Sequence, residues 1–460
     1  MTRAAASALA SALVISVIAT SCTTDATAPT PGELGPVVNG VRTTGTTSLV
    51  VIPALFSGSS ESPFTPADLQ RRLFDGPSAV GTLTEYYREM SGNRFTLRGT
   101  VTPWVRTNVG SGESGAGIEG DSREVDHVIA AIRAVDASID FGAYDNEGPD
   151  GKPNSGDDDG IVDGGVVVMM AEIGRNCGTA GVVWPHFASL EVVNTPDHQF
   201  RVADKTPAGT PLVVKAYVIL SASTCNPNTL TGIAVASHEL MHLLFQAPEM
   251  YSIGSLTESQ PNGARIWRTG CWDVMSAGSG WGCGVGASQD WLTPVHANPW
   301  VKETLRWIRS DTIGTVADTQ ITLAAASVGG RTARFLIKPG EYFEIEYRQK
   351  VGYDSNIPAS GVLIYHVTLD RPVTPPTCQL WCTQPPLLIE ADDNNGLLRT
   401  MDQGGNRGEA GDAFGQLAHT TFGPTTIPAA LADNGSPTTL RITEIVIDAT
   451  ARVARIRLSH

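Results

Sequence analysis

Residues 238–242 read HELMH and combine two imidazoles with one carboxylate. On an α-helix, positions four apart lie on one face, so His238 and His242 can bind the same metal ion. Zinc suits this pair because imidazole nitrogen is a good ligand, and because an open coordination position acidifies a water molecule. Glu239, rotated about 100° from His238, would take a proton from that water and pass it to the leaving amine. The motif predicts zinc-dependent cleavage of peptide bonds.

The third zinc ligand is not part of this motif. In the metzincin arrangement, a Gly seven residues after the first His ends the helix, and a ligand follows three residues later. Those positions hold Phe245 and Pro248 here. Phe lacks the backbone freedom of Gly, and Pro offers no ligand atom. Glu249 is therefore the predicted ligand, with Pro248 helping to end the helix. Glu258 is a weaker candidate, and Glu249 could instead be a solvated surface carboxylate.

A second set of possible metal ligands lies in the acidic segment 145–163, which reads DNEGPDGKPNSGDDDGIVD. Its second half has the alternating oxygen ligands and tight Gly turn, at Gly160, of a calcium loop. The Glu that closes an EF-hand is missing, and the flanks are typical of strands. An acidic loop that is simply solvated is the alternative. The predicted calcium ligands are Asp145, Asp157, Asp159 and Asp163.

Buried strands and amphipathic helices alternate in the region that carries these residues. Apolar or β-branched runs predict strands over 46–58, 94–105 and 163–174, and helical spacing predicts helices over 65–74, 80–91 and 122–141. From about Thr312 the pattern changes to strands separated by Gly, Pro, Asn and Asp turns. The chain therefore divides into a mixed α/β region and a C-terminal β region.

The N-terminus has the pattern of an export signal. Arg3 is followed by an uncharged, mostly apolar run that is too short for a confident transmembrane helix. The segment "ATSC" resembles a bacterial lipobox, which predicts a lipidated Cys22 after a signal over residues 1–22, followed by a flexible tether over 23–46. The alternative is an ordinary signal peptide cleaved near Ala28. Both predict an exported protein, either a cell-envelope lipoprotein or a secreted one.

Six cysteines remain if Cys22 carries lipid, an even number for an oxidising compartment. Local spacing favours the disulfides Cys378–Cys382 and Cys271–Cys283, which leaves Cys177 to pair with Cys225. The cysteines are thus predicted to be disulfide-bonded and not metal ligands. The net charge of −15 argues against nucleic acid or an anionic membrane surface as a partner. Membrane contact is expected only through the lipid anchor.

Three segments around the zinc motif resemble one family of secreted bacterial metallopeptidases. "PEMY" resembles the proline, acidic residue and tyrosine that follow the zinc helix in that family, with Glu249 in place of the usual Asp and one extra residue before it. "CWDVMSAGSGW" resembles the family's Met-turn, and "TPVHANPWVKETLRW" resembles the segment after the turn. The chain is thus similar to the immune inhibitor A family over about Thr47 to His460.

The resemblance implies roles for two more residues. Met275 would lie beneath the metal, whereas a Met in a Gly/Ser-rich turn is otherwise ordinary core packing. Tyr251 either hydrogen-bonds a developing oxyanion or packs in the core. Members of the family carry calcium, which adds to the case for the acidic segment.

The predicted fold class is α+β, with a zincin/metzincin-like catalytic domain over 47–311 and an all-β, sandwich-like domain over 312–460. The predicted function is that of a monomeric zinc endopeptidase acting on extracellular proteins or peptides. One alternative is a catalytically inactive cell-surface binding or adhesion protein on the same scaffold. Another is a zinc hydrolase with a non-peptide substrate.

Overall fold

The computed structural model describes residues 35–38, 40–111, 122–177, 182–190, 199–253, 265–280, 283, 292–313, 318–329, 331–368, 386–416 and 419–459. The signal segment with Cys22, the weaker ligand candidate Glu258, and the predicted Cys378–Cys382 pair lie outside these residues. Within them, no helix is long and apolar enough to cross a bilayer.

The region up to residue 304 is mixed α/β. Its strands are β1 (Val37–Val38), β2 (Val41–Arg42), β3 (Gly45–Leu55), β4 (Phe95–Val101), β5 (Val105–Arg106), β6 (Val166–Met170), β7 (His186–Ser189), β8 (Phe200–Lys205), β9 (Pro211–Val214), β10 (Ala216–Ser221), β11 (Ser252–Ile253) and β12 (Arg265–Ile266). Its α-helices are α1 (Pro66–Gln70), α2 (Leu83–Met90), α3 (Ser122–Val135), α4 (Ala234–Phe245) and α5 (Pro299–Thr304), and α1 continues as a π-helical turn over Arg71–Asp75.

One six-stranded sheet forms the centre of this region. Its order is β4-β3-β6-β10-β7, with β5 pairing the end of β3. All pairs are parallel except β10–β7, so β7 is an antiparallel edge strand. The central β6 is buried throughout, as expected for a parallel strand covered on both faces.

Helices cover both faces of the sheet. Val166, Val168 and Met170 of β6 pack in one apolar core with α3, whereas Val167 and Met169 pack in another with α2 and α4. The alternation follows from the two-residue repeat of a strand. The sheet thus separates the acidic segment and α3 from the helix that carries the zinc motif.

The described residues from 310 onwards form strands and short 3₁₀ turns. The strands are β13 (Ser310–Ile313), β14 (Thr319–Ala324), β15 (Thr332–Lys338), β16 (Glu341–Arg348), β17 (Gly361–Thr368), β18 (Leu387–Leu388), β19 (Arg441–Asp448) and β20 (Val453–Ser459). They make a five-stranded sheet, β13-β15-β16-β17-β18, and a three-stranded sheet, β14-β20-β19. Side chains of both sheets, including Phe343, Ile364 and Ile456, share one apolar core.

This β region packs directly against the α/β region. Tyr353 and Val367 belong to the same apolar core as α4. Arg348 of β16 is fully buried and donates to Asp354 and to the carbonyl oxygens of Trp272 (3.1 Å) and His296 (3.4 Å). A buried ion pair with its hydrogen bonds therefore joins the end of β16 to the loops beneath α4.

Two predicted boundaries need correction. The tether predicted over 23–46 does not extend to residue 46, because β1 and β2 pair and Val41 and Thr43 are fully buried. Trp307 Nε1 donates to the Thr43 carbonyl at 2.6 Å, which holds this segment against the end of α5. The predicted boundary between residues 311 and 312 falls inside β13, which pairs with β15.

Two of the three predicted disulfides are present. Cys177–Cys225 and Cys271–Cys283 have Cα–Cα distances of 5.3 and 5.4 Å, which are normal for disulfides. The second bridge lies in the segment that contains Met275. Local spacing was sufficient for the short Cys271–Cys283 link, and the longer link followed from pairing what remained.

Candidate metal centre

The helix α4 carries His238, Glu239 and His242 and is almost entirely buried. Phe245, at the position where the metzincin pattern has Gly, is fully buried against Phe95 and Trp307, with ring centroids 5.2 Å from each. The helix ends at Phe245, before Pro248. Gln246 takes the left-handed conformation, with φ 52° and ψ 30°, and its N–H donates to the His242 carbonyl. The turn usually made by Gly is thus made by Gln246, one residue later.

This one-residue displacement explains the position of Glu249. The pattern places the ligand three residues after the left-handed turn, and Glu249 lies three residues after Gln246. Pro248 was expected to help end the helix, but the helix has already ended by then. The insertion seen in the sequence is therefore absorbed at the end of the helix.

Both histidines are oriented by backbone carbonyl groups. His238 Nδ1 donates to the Val274 carbonyl at 2.8 Å, and His242 Nδ1 donates to the Ala247 carbonyl at 2.6 Å. A carbonyl can only accept, so the proton of each neutral ring is on Nδ1 and the lone pair is on Nε2. The two Nε2 atoms are 3.2 Å apart. Two metal-binding lone pairs therefore face the same point.

The carboxylate of Glu249 completes this group. Its Oε2 is 3.3 Å from His238 Nε2, and its Oε1 is 3.4 Å from His242 Nε2. Burial alone would raise the pKa of Glu249, but the two imidazoles facing it hold that pKa well below its usual range. Ligand atoms at about 2.0–2.1 Å from a tetrahedral zinc ion are about 3.3 Å from one another. The spacing and chemistry of these three side chains therefore fit zinc.

Glu239 lies beside this group. Possible ligand atoms of His238, Glu239 and His242 lie within 4.8 Å of one another. Glu239 Oε2 accepts a hydrogen bond from the N–H of Phe187 in β7 at 3.0 Å. Burial raises the pKa of Glu239, and the two imidazoles oppose that rise. A carboxylate held by a backbone donor next to a metal site is placed to exchange a proton there.

Tyr251 and Met275 lie around the same group. Tyr251 Oη donates to Glu249 Oε1 at 2.7 Å, and its ring stacks on His238 with centroids 6.4 Å apart. Met275 is fully buried, and its carbonyl accepts the Met250 N–H at 2.8 Å. The turn that contains Met275 also supplies the Val274 carbonyl, so it supports His238 through its backbone.

Asp273 holds that turn in place. It is fully buried and accepts hydrogen bonds from the Met275 N–H (2.9 Å), Thr269 Oγ1 (3.2 Å) and Asn298 Nδ2 (2.5 Å). Sequence reasoning did not single out Asp273, nor the carbonyls of Val274 and Ala247. Asp273 lies in the quoted Met-turn segment, but a backbone carbonyl carries no side-chain signal.

The acidic segment forms a different cluster from the predicted one. Asp145, Glu147 and Asp163 are buried, with possible ligand oxygens within 4.8 Å of one another. Asp157 and Asp159 are not in this group. Asp157 accepts from Ser155 Oγ and the Asp150 N–H, and Asp159 accepts from the Ile161 N–H. Glu147 was missed, although it lies in the same acidic stretch.

Burial raises the pKa of Asp145 to about 8 and that of Asp163 to about 9, with neighbouring carboxylates adding to both. Both oxygens of Asp145, Oδ1 of Asp163 and Oε2 of Glu147 have no hydrogen-bond partner in the described structure. A buried cluster of unpaired oxygens fits a hard cation.

Comparison with known proteins identifies the family. The profile described as "Immune inhibitor A peptidase M6, catalytic domain" matches residues 67–308, which include His238, Glu239, His242 and Glu249. The chain belongs to this family. The predicted resemblance to the immune inhibitor A family is confirmed. Enzymes of this family are metallopeptidases, and therefore hydrolases.

Two known proteins are similar in sequence to parts of this chain. The chain is 23% identical over 273 residues to the pre-pro-metalloprotease PrtV of Vibrio cholerae serotype O1, covering 54% of this chain and 27% of the relative. It is 30% identical over 128 residues to the immune inhibitor A of Bacillus thuringiensis subsp. alesti, covering 25% of this chain and 18% of that protein. The chain thus matches about a quarter or less of the length of these relatives.

Proposed function

We propose that this M6 family member is a zinc endopeptidase with His238, His242 and Glu249 as the zinc ligands. The observation that supports this most strongly is the set of 3.2–3.4 Å separations among two imidazole Nε2 atoms and one carboxylate. These match the spacing of ligand atoms around a tetrahedral ion. Family membership supports a metal-dependent hydrolase of protein substrates.

Zinc, when bound, supplies Lewis acidity that polarises a peptide carbonyl and lowers the pKa of a water molecule. The protein's own residues carry the protons. Glu239 accepts one at its carboxylate and delivers it to the leaving amine, while the Phe187 N–H keeps the carboxylate in position. Tyr251 keeps Glu249 oriented through its hydroxyl. While the Tyr251 hydroxyl donates to Glu249, it acts as a positioning group. To stabilise an oxyanion, the hydroxyl would have to give up this hydrogen bond.

Two variants test this function. Glu239→Gln should retain zinc and lose turnover of a denatured protein substrate by roughly 10²–10⁴-fold, the usual contribution of a general base. Glu249→Ala should lose zinc as well as turnover. Zinc content by mass spectrometry and hydrolysis rates are the measurements, with the exposed Glu444→Gln as the control.

Some outcomes would contradict the proposal. Full zinc content in Glu249→Ala would remove Glu249 from the ligand set. A folded, zinc-loaded wild-type protein that cleaves nothing across broad peptide libraries would favour a catalytically inactive binding or adhesion protein. Cleavage of ester but not peptide substrates would indicate a hydrolase of another class.

We further propose that the acidic cluster of Asp145, Glu147 and Asp163 binds a structural calcium ion, with Asp157 and Asp159 outside the innermost ligands. The unpaired buried oxygens support this assignment. Equilibrium dialysis of Asp163→Asn against calcium tests it.

The proposed cellular setting is outside the cytoplasm. The two disulfides support an oxidising compartment. Lipidation at Cys22 remains a proposal, which mass spectrometry of the mature N-terminus would test. A C-terminal β domain separate from the catalytic domain is also a proposal, as is a monomeric state.

A further inference from the structure

A second acidic cluster, and a third group of possible metal ligands, lies in the β region. Glu390, Asp392 and Asp412 have possible ligand oxygens within 4.8 Å of one another. Glu390 is 5% exposed, and Asp412 is fully buried. The charged groups with the strongest effect on Glu390 and Asp412 are other carboxylates, and burial raises the pKa of each to about 7. Carboxylates are therefore concentrated here, and among the described residues no lysine or arginine is a main influence on the pKa of Glu390 or Asp412.

An unpartnered buried atom indicates what is missing. Asp412 Oδ2 accepts from Trp272 Nε1 at 2.9 Å and from the Glu409 N–H at 2.8 Å. Asp412 Oδ1 is buried and has no partner in the described structure. A buried carboxylate oxygen without a partner is costly, and a cation beside it would remove that cost.

The backbone around the cluster leaves room for close approach of the carboxylates. A Cβ atom at Gly411 would clash with Asp392 Oδ2. Glu390 is held by two backbone donors, with Oε2 accepting from the Gly396 N–H at 2.7 Å and Oε1 from the Leu397 N–H at 3.1 Å. Hydrogen bonds from the backbone thus hold Glu390 close to the other two carboxylates.

We propose that Glu390, Asp392 and Asp412 bind a divalent cation, and that this cation is calcium. The donors are all oxygen atoms, as hard cations prefer, and irregular loops with several carboxylates suit calcium better than the strict octahedron of magnesium. The three described side chains of the cluster offer no nitrogen or sulfur donor, which argues against zinc or copper.

The position of this site links it to the proposed zinc ligand His238. Asp412 binds Trp272, and the Arg407 carbonyl accepts the Cys271 N–H at 2.6 Å. These residues lead into the turn whose Val274 carbonyl orients His238. Calcium at this site fixes the 390–412 segment against that turn, so its removal loosens the support of a zinc ligand.

The test uses the full mature chain, loaded with zinc and freed of calcium by a calcium-selective chelator. Equilibrium dialysis with calcium, up to about the millimolar range of extracellular sites, counts the ions bound. Asp392→Asn should bind one calcium ion fewer than wild type and lose part of the calcium-dependent rise in Tm. Asp393→Asn is the matched control, because it removes the same charge from the exposed neighbouring residue.

Asp163→Asn separates this site from the acidic segment, and the double variant Asp163→Asn/Asp392→Asn should show the sum of the two losses. Unchanged stoichiometry in folded Asp392→Asn would overturn the proposal. If Asp392→Asn does not fold, terbium luminescence of the wild-type protein tests the site instead. Bound terbium should be excited through Trp272, with emission lost in Trp272→Phe and on addition of calcium. Absence of tryptophan-excited emission would overturn it equally.

Discussion

His238 and His242 each use one ring nitrogen to hold the ring and leave the other for metal. Because the holding partners are the carbonyls of Val274 and Ala247, the orientation of both rings depends on how two separate turns fold. The spacing of the histidines on a helix was readable from sequence. Their partners were not, since any residue type has a carbonyl group.

The hydroxyl of Tyr251 contacts one of the proposed zinc ligands. It donates to Glu249 Oε1, so Tyr251→Phe removes a partner of a proposed ligand. Loss of such a partner typically lowers metal affinity or activity by roughly 10–100-fold. Competition for zinc with a chromogenic chelator measures the zinc affinity. Turnover at saturating zinc measures any loss of activity that does not come from lost zinc.

Tyr347→Phe is the control for this change, because Tyr347 is fully buried and its hydroxyl has no partner in the described structure. It should leave zinc affinity unchanged. Equal zinc affinity and equal turnover in Tyr251→Phe and wild type would show that the Tyr251–Glu249 bond has no role in the site.

At the scale of elements, the end of α4 determines where Glu249 lies. The sequence indicated an insertion between the second His and the acidic residue, but it did not show how the chain absorbs it. Gln246 absorbs it by taking a left-handed conformation that favours Gly. The fold also decides which carboxylates of the acidic segment lie together. The pattern Asp-x-Asp-Gly predicted a loop, while the fold buried Glu147 with Asp145 and Asp163 instead.

This conformation predicts the effect of changing Gln246. Gln246→Gly should raise the free energy of unfolding by about 0.5–1 kcal/mol, because Gly adopts positive φ without steric cost. Gln246→Val should lower it, because a β-branched side chain is least suited to positive φ. Urea unfolding measures both, with zinc content as a check that the site is intact. If Gln246→Gly is no more stable than the wild-type protein, other contacts of the turn must offset the backbone strain at Gln246.

At the scale of the whole molecule, the α/β and β regions are joined by buried charge as well as by apolar packing. Composition and pattern predicted two regions, and the change of character near Thr312 was visible. The sequence could not reveal that Arg348 reaches the Trp272 and His296 carbonyls, because these residues lie 76 and 52 positions away. Such contacts depend on the tertiary fold.

Arg348→Leu is therefore expected to destabilise both regions together. It leaves Asp354 buried without its partner, which typically costs about 3–5 kcal/mol. Thermal unfolding should shift as one transition, with zinc release at the same temperature. Arg455→Leu removes the partly exposed Arg455–Asp448 pair and should cost less than about 1 kcal/mol. Two separate transitions in Arg348→Leu would show that the regions unfold independently.

The backbone carbonyls behind His238 and His242 also bear on how the protein tolerates mutation. No single substitution can delete a carbonyl group, so the support of both imidazoles survives most exchanges of side chain at positions 247 and 274. Among the groups that form the site directly, the side chains that cannot be exchanged are then few: the proposed ligands, Glu239, and those that shape the two turns. Substitutions that remove activity while the protein stays folded should therefore fall mainly on that small set.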